Sequence, residues 1–505
     1  MRRKRRAVGF AVAAALTVAA AVTVTQTAMA DPAAEIDWKP CKDADGDVEC
    51  GTIEVPVDYA KPDGKKIKIG LAKRAATNPE ARVGSLMVDP GGPGGSGVDM
   101  VKGSKIGSKQ LQEKFDFIGF DPRGINTSTQ IKCDEEQLAA ARSVGVPTTK
   151  KKFAKLAKAN KKLADGCRKL TGPLFDHADN LHTVEDIESA RKALGDEKLN
   201  FLGYSYGTLM GQQYAEKYPK NIRSMVLDGN MDHSIESPWE FASTETAAVE
   251  RNFNSFAKWC DETKDCALYG EDTTKVYGEL RDAARAGKLK DPENGDPIDF
   301  YAFSERASLI NESPAWPEVA KDLKVLRDGK GQLKLDGKAK AEPVEYVFQS
   351  MFCSDWDVSI KNFGEWRDIT DRLAEEYPNT QWSSYVGTLT SCIGDPVKTT
   401  NPQAPLEIDG APPLVMIGNL NDYATVYEWS EVAAEQSGAT LITYEGYGHT
   451  IYGRGVECVD KPVESYLIDL EVPDSGLSCE SQETPGGGDS GRRSGAPGTG
   501  PWAGR

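Results

Sequence analysis

The sequence predicts an α/β fold: a mostly parallel sheet whose two parts are separated by a large helical insertion. Three changes of texture along the 505-residue chain carry that reading. Residues 50–230 alternate short apolar runs with helical stretches, residues 235–400 are charged, aromatic-rich and poor in β-branched runs, and residues 411–470 return to the first texture. Strands that alternate with helices lie parallel, because each helix carries the chain back across the sheet.

The first 30 residues read as a signal peptide. Arg2, Arg3, Lys4, Arg5 and Arg6 form a basic start, "AVGFAVAAALTVAAAVTV" is an apolar core, and Ala28-Met29-Ala30 meets the A-x-A cleavage rule. The apolar stretch is also long enough to weigh as an N-terminal membrane anchor. The cleavage site and the polar "DPAAEIDW" behind it favour removal, and with it a secreted, extracellular product. Losing residues 1–30 removes five positive charges and no negative ones, so the formal net charge moves from −16 to −21. A surface that acidic argues against nucleic acid and anionic membranes as partners.

Strand candidates follow as "KIKIGLAKR", "GSLMVD", "FDFIGFD", "LNFLGY" and "IRSMVLDG", with "FAKLAKANKKLADGCRKL" and "TVEDIESARKALG" as helices among them. The Lys-rich stretch 149–162 reads as a solvated helix face rather than a nucleic-acid patch. After the insertion come "PPLVMIG" as strand, "VYEWSEVAAEQSG" as helix and "TLITYEG" as strand. The expected organisation is a first α/β part over 31–234, a helical insertion over 235–405 and a second α/β part over 406–480. The Gly/Pro/Ser-rich tail over 481–505 is expected to be disordered.

Ten cysteines in an exported chain point to disulfides. Consecutive pairing would give Cys41/Cys50, Cys133/Cys167, Cys260/Cys266, Cys353/Cys392 and Cys458/Cys479, although sequence alone leaves the connectivity open. No C-x-x-C pair and no Cys/His cluster occurs, so no metal site is expected.

Chemistry concentrates at three places. Residues 85–97, "SLMVDPGGPGGSG", contain G-x-G-x-x-G at Gly92, Gly94 and Gly97, and the acid Asp121 ends the next strand. That layout fits a dinucleotide fingerprint. It equally fits a loop whose bare backbone must approach a substrate. The second place is Gly203-Tyr204-Ser205-Tyr206-Gly207, a G-x-S-x-G pattern. The pattern alone is weak. Its setting, between the strand "LNFLG" and the helix "LMGQQYAEKY", is the strand–turn–helix context of a nucleophile elbow, which sets Ser205 as the nucleophile.

A serine hydroxyl needs a base, and the chain has four histidines: His177, His182, His233 and His449. In the order serine, acid, histidine, only His449 leaves room for an acid after a strand. It lies in the Gly-rich "YEGYGHTIYG". Asp422 follows the strand "PPLVMIG" and is the favoured acid; Asp228, at the end of "SMVLDG", is the runner-up. Acyl transfer builds an oxyanion, which backbone N–H groups must meet. Tyr206, next after the serine, supplies one. The glycine loop supplies the other, with Gly92 as the donor and Gly91 as the alternative. Under that reading no cofactor is required.

"VDPGGPGGSG", "FIGFDPRGINTS", "LGYSYGT" and "IGNLNDYATVYEWS…GYGH" together resemble the secreted tripeptidyl aminopeptidases of actinomycetes. These are prolyl-aminopeptidase-like serine peptidases of the α/β-hydrolase fold. The resemblance spans most of residues 35–480. It implies an α/β-hydrolase sheet with a large helical cap inserted between nucleophile and acid. It implies an aminopeptidase that takes peptide or protein N-termini as substrate, with Ser205, Asp422 and His449 as catalytic residues and Gly92 and Tyr206 as the oxyanion hole. Tyr423 and Val426 stand where prolines are common, and Asn126 stands where glycine is common. A substrate ammonium group needs carboxylates, for which the insertion offers Glu240, Glu245, Glu312, Glu318 and Asp355. "SPAWPEV" and "MFCSDWD" are the stretches of first interest there, their tryptophans reading as core. A carboxylesterase or lipase using the same triad is the alternative, since a fold does not set a substrate.

Overall fold

A computed structural model of the chain describes residues 36–329 and 344–483. The expected signal peptide and nearly all of the expected tail lie outside the described residues. Strand-forming runs become twelve strands: β1 (Lys39–Pro40), β2 (Glu49–Pro56), β3 (Lys66–Arg74), β4 (Gly84–Asp89), β5 (Phe115–Phe120), β6 (Lys132–Cys133), β7 (Leu199–Tyr204), β8 (Ile222–Asp228), β9 (Val344–Glu345), β10 (Val415–Asn421), β11 (Thr440–Tyr447) and β12 (Ser478–Cys479). Ten of them form one sheet in the order β1-β2-β3-β5-β4-β7-β8-β10-β11-β12. From β5 to β12 all neighbours are parallel; β1, β2 and β3 join antiparallel at one edge. β6 and β9 pair antiparallel away from it.

The central strands are buried on both faces, and their side chains alternate between two cores. Leu86, Val88, Leu202, Tyr204, Val226, Val415 and Ile417 pack to one face, with Val98, Leu111 and Val463 from the helices covering it. Met87, Phe201, Met225, Leu227 and Met416 pack to the other, against Leu163, Ile187 and Leu209. Period-2 alternation under helices on both sides is what a parallel sheet requires. The Lys-rich stretch lies in the helix Lys150–Thr171, which buries Phe153, Leu156, Asn160, Leu163, Ala164 and Cys167. That stripe recurs at helical spacing and leaves the lysines on the outer face.

Between β8 and β10 the regular structure among the described residues is helical apart from β9. The helices Pro238–Glu262, Thr273–Arg285 and Trp316–Asp328 enclose a core of their own around Phe253, Phe256, Tyr277, Trp316 and Leu323. Trp316 and Trp356 are both core residues. The inserted helices are fastened over the sheet's C-terminal edge. Asn252 Nδ2 donates to Asn421 O at 3.1 Å, Arg251 Nη2 to Leu420 O at 3.3 Å, and Trp429 Nε1 to Thr244 Oγ1 at 3.2 Å. All ten cysteines pair consecutively, as Cys41–Cys50, Cys133–Cys167, Cys260–Cys266, Cys353–Cys392 and Cys458–Cys479. No helix among the described residues is long and apolar enough to cross a membrane.

Candidate active site

β7 ends at Tyr204 and the helix Tyr206–Lys217 starts at once, so Ser205 takes the whole turn. Its backbone sits at φ 53°, ψ −123°, a conformation that side chains other than glycine rarely adopt and that costs free energy. The turn is held open by its neighbours: Ser205 N–H donates to Asp228 O at 2.9 Å, and Thr208 N–H and hydroxyl both donate to Ser205 O. As the first helical residue, Tyr206 has an N–H with no place in the helix's own hydrogen bonding.

The glycine loop lies directly against this turn. A Cβ on Gly91 would stand 2.3 Å from Tyr204 O, 2.8 Å from Tyr206 N and 3.0 Å from Ser205 Cβ. Only a glycine permits that approach. Gly91 N–H donates to Asp89 Oδ1 at 2.8 Å, whereas the N–H of Gly92 meets no acceptor among the described residues. Asp89 is a structural residue that motif reading passed over. It is fully buried, and burial with repulsion from Asp121 pushes its pKa up to about 8. Asp121, the acid of the dinucleotide layout, is consumed locally. Its oxygens accept Ser96 Oγ (2.6 Å), Val98 N (3.1 Å), Thr127 N (3.0 Å) and Thr127 Oγ1 (2.5 Å), tying two loops together. Asn126, in the same loop, has φ 42°, the left-handed region that glycine favours and asparagine tolerates.

Beyond β8, Asp422 and His449 meet. The ring Nδ1–H of His449 donates to Asp422 at 3.0 Å (Oδ1) and 2.9 Å (Oδ2). Ala424 and Thr425 amides donate to the same carboxylate at 2.8 and 3.0 Å, so the acid loop stays closed without the prolines. Burial opposes the imidazolium, but the charge and hydrogen bond of Asp422 outweigh it, and the His449 pKa lies above the ordinary histidine value. Asp228 does not hold the histidine. Its Oδ2 accepts Ile451 N–H (2.8 Å) and Tyr452 N–H (2.7 Å), anchoring the loop that follows His449, and burial pushes its pKa up to about 6. Gly229 closes the gap between the two halves: a Cβ there would lie 3.3 Å from His449 Cε1, one residue from the carbonyl that holds Ser205.

The five inserted acids separate cleanly. Glu240 accepts Glu236 N–H at 2.9 Å while its own N–H donates to Ser237 Oγ, a reciprocal cap of its helix. Glu318 is exposed in the first turn of its helix. Asp355 is buried and satisfied by Tyr206 Oη (2.6 Å), Asn180 N (2.7 Å) and Asn401 Nδ2 (2.9 Å). Glu312 reaches the site's rim: it accepts the Tyr423 hydroxyl at 3.3 Å and stands 3.7 Å from Arg454 Nη1. Glu245 is wholly buried, and no hydrogen bond of ordinary geometry reaches either carboxylate oxygen among the described residues. Burial and the negative charge of Asp422 raise its pKa well above the usual carboxylate range, and the nearby Ser383 hydroxyl offsets them only in part.

A family model described as alpha/beta hydrolase fold matches residues 85–455, the span from the glycine loop to just past His449. Tripeptidyl aminopeptidase of Streptomyces lividans is 30% identical over 479 residues, covering 90% of this chain and 88% of that protein. Serine protease Hip1 of Mycobacterium tuberculosis is 29% identical over 480 residues, covering 88% and 91%. Carboxylesterase B of Mycobacterium tuberculosis is 30% identical over 474 residues, covering 88% and 89%. These relatives share nearly the full length of the described chain, insertion included. The chain therefore belongs to the α/β-hydrolase fold family, and it is a serine hydrolase.

Proposed function

We propose that this chain is an exported exopeptidase that releases short peptides, tripeptides in the first instance, from free N-termini through an acyl-enzyme on Ser205. His449 Nε2 takes the hydroxyl proton as Ser205 Oγ attacks the scissile carbonyl. Asp422 holds Nδ1–H and stabilises the imidazolium. The N–H groups of Gly92 and Tyr206 receive the oxyanion. His449 then gives its proton to the leaving amine, and a water enters by the same base to release the peptide acid.

The observation that carries the exopeptidase reading is Glu245. A buried carboxyl with only the Ser383 hydroxyl nearby, and no hydrogen bond of ordinary geometry, is costly unless something charged arrives to pair with it. Its helix is pinned to the acid loop by Arg251 and Asn252, which sets Glu245 beside Asp422. A substrate ammonium group supplies the missing donors and would bring the carboxyl back to its ionised form. Glu312, beside the His449 loop, is the second acid within reach of that amine. The ten paired cysteines and the sequence of residues 1–30 support export.

The competing reading is an esterase, favoured by the relative named Carboxylesterase B. Hydrolysis of a free-amine chromogenic tripeptide, its N-blocked form and a simple ester separates the two. The expected result is turnover of the free-amine peptide that is lost on blocking and lost in Ser205→Ala. Equal turnover of the blocked peptide, or activity on the ester alone, would sink the proposal. Glu245→Gln should weaken the free-amine peptide and leave the ester unaffected.

A further inference from the structure

Three of the chain's four histidines take no part in the site described above, and two of them, His177 and His182, lie together with a carboxylate. Ligand atoms of Asp58, His177 and His182 all fall within 4.8 Å of one another. Asp58 Oδ2 is 3.7 Å from His177 Nε2, and the two imidazole rings stand edge to face with centroids 5.2 Å apart. All three side chains are partly exposed, at 19% for Asp58, 27% for His177 and 21% for His182, so a solvent cation can reach them.

The surroundings distinguish this cluster from a chance gathering. Each ring has its Nδ1 engaged by a pure acceptor. His177 Nδ1–H donates to Pro173 O at 2.8 Å, and His182 Nδ1–H donates to Asp179 at 2.8 and 2.9 Å. Both tautomers are thereby set with the proton on Nδ1 and the lone pair on Nε2. A metal-binding histidine characteristically has this carbonyl or carboxylate behind it, fixing the ring and raising its basicity. Asp179 is itself held by Thr400 Oγ1 at 2.9 Å.

The backbone beneath is built in advance. The guanidinium of Arg123 is fully buried, paired bidentately with Asp186 at 2.7 Å on both sides. Its Nη1 donates to Val57 O and to His177 O, each at 2.8 Å. One side chain thus holds the segment carrying Asp58 against the one carrying His177, while His182 rides on the first turn of the helix Asn180–Ala193. The 3.7 Å between Asp58 Oδ2 and His177 Nε2 is near the roughly 3.3 Å edge of a tetrahedron with metal–ligand bonds of about 2.0 Å, and the whole set lies within 4.8 Å.

We infer that Asp58 and the Nε2 atoms of His177 and His182 form a binding site for one divalent zinc-type cation, whose ligands include none of the residues placed at Ser205, Asp422 or His449. Two imidazoles and a carboxylate are a three-ligand set suited to Zn²⁺, with solvent completing the fourth position. Lys61, which donates to Asp58 Oδ2 at 2.8 Å from an exposed position, gives way when the ion enters. The bound ion joins three segments and raises the resistance of the fold to heat by mass action.

Equilibrium dialysis of the full exported chain against Zn²⁺ alone, with metal counted by emission spectroscopy, tests this. The expected result is one Zn²⁺ per wild-type chain, with an accompanying rise in Tm. His177→Asn with His182→Gln should abolish both. Asp179→Asn, which keeps the helix cap, should weaken binding by about tenfold to a hundredfold. Cobalt loading of the wild type should give the visible d–d bands of a low-coordinate N/O site, independent of any variant's folding. Undiminished zinc in the double variant, no zinc in the wild type, or a cobalt spectrum of six-coordinate aquo-type ion would each overturn the site.

Discussion

The hydroxyl of Tyr206 donates to Asp355 Oδ2 at 2.6 Å, joining the residue that follows Ser205 to a helix of the insertion. Asp355 is also bound by Asn180 N–H and Asn401, so the amide of Tyr206 is positioned by a network that spans both parts of the fold. Tyr206→Phe leaves Asp355 Oδ2 buried without that donor, a loss of about 1–3 kcal/mol in stability. The denaturation midpoint should fall, and kcat should fall about tenfold, or about 1.4 kcal/mol, with little change in KM. An unchanged kcat in steady-state assays would show that the contact does not position the oxyanion donor.

Asp422 and Asp228 predict different losses. Asp422→Asn removes the partner that orients His449, and kcat should drop by about 10⁴. Ser205→Ala should cost about 10⁶. Asp228→Asn keeps one acceptor for the loop amides and should cost far less activity than stability. Matched kinetics and thermal melts of the two asparagine variants check the assignment; a reversed order would make Asp228 the acid.

The pH profile follows from the raised pKa of His449. The base must be neutral, so activity is lost as pH falls through a value above the ordinary histidine pKa of about 6.5. The sign for stability is opposite. A raised folded-state pKa means that the His449–Asp422 contribution is fully present below about 6.5 and fades as pH rises through the folded value. The acid limb of kcat/KM for the free-amine tripeptide measures the first, and melts across the same range in the His449→Gln variant and the wild type measure the second.

Gly91→Ala places a methyl group 2.3 Å from Tyr204 O at φ 84°, so strand, loop or elbow must shift. Acylation of Ser205 by a fluorophosphonate should be strongly slowed, and the melting midpoint should drop. Labelling at the wild-type rate would mean that the loop and the elbow are not in contact.

Asp89 has a pKa pushed up to about 8 by burial and by Asp121, so near neutral pH it is mostly uncharged. Asp89→Asn, neutral and of the same shape, should retain most of the activity. Asp89→Ala, which removes the acceptor for Gly91 N–H, should lose both activity and stability, by about 1–3 kcal/mol for the latter. Parallel melts and rates of the two variants decide it.

Much of this was readable along the chain. "KIKIGLAKR", "GSLMVD" and "LNFLGY" coincide with β3, β4 and β7, because a strand in a two-faced sheet announces itself through neighbours one and two residues away. β2, "ECGTIEVP", is not among the expected strands: it belongs to the antiparallel edge, and its apolar alternation is confined to the four residues Thr52 to Val55. The elbow at Ser205 was legible for the same local reason as the strands.

The acids of the insertion were not legible. Glu240 and Glu245 lie on one helix with similar neighbours in sequence, yet one caps the helix and the other is buried with no hydrogen bond of ordinary geometry. Their difference comes from how the helix Pro238–Glu262 packs over the acid loop, a contact between segments about 170 residues apart. The cluster of Asp58, His177 and His182 has the same origin, since Arg123 brings together segments more than a hundred residues apart. Strands, turns and the sharp elbow at Ser205 follow from short-range sterics and alternation, which any window of sequence contains. The alignment of Asp422 with His449, the isolation of Glu245 and the gathering of two histidines with Asp58 depend on distances across the fold, which exist only once the sheet has closed and the insertion has packed upon it.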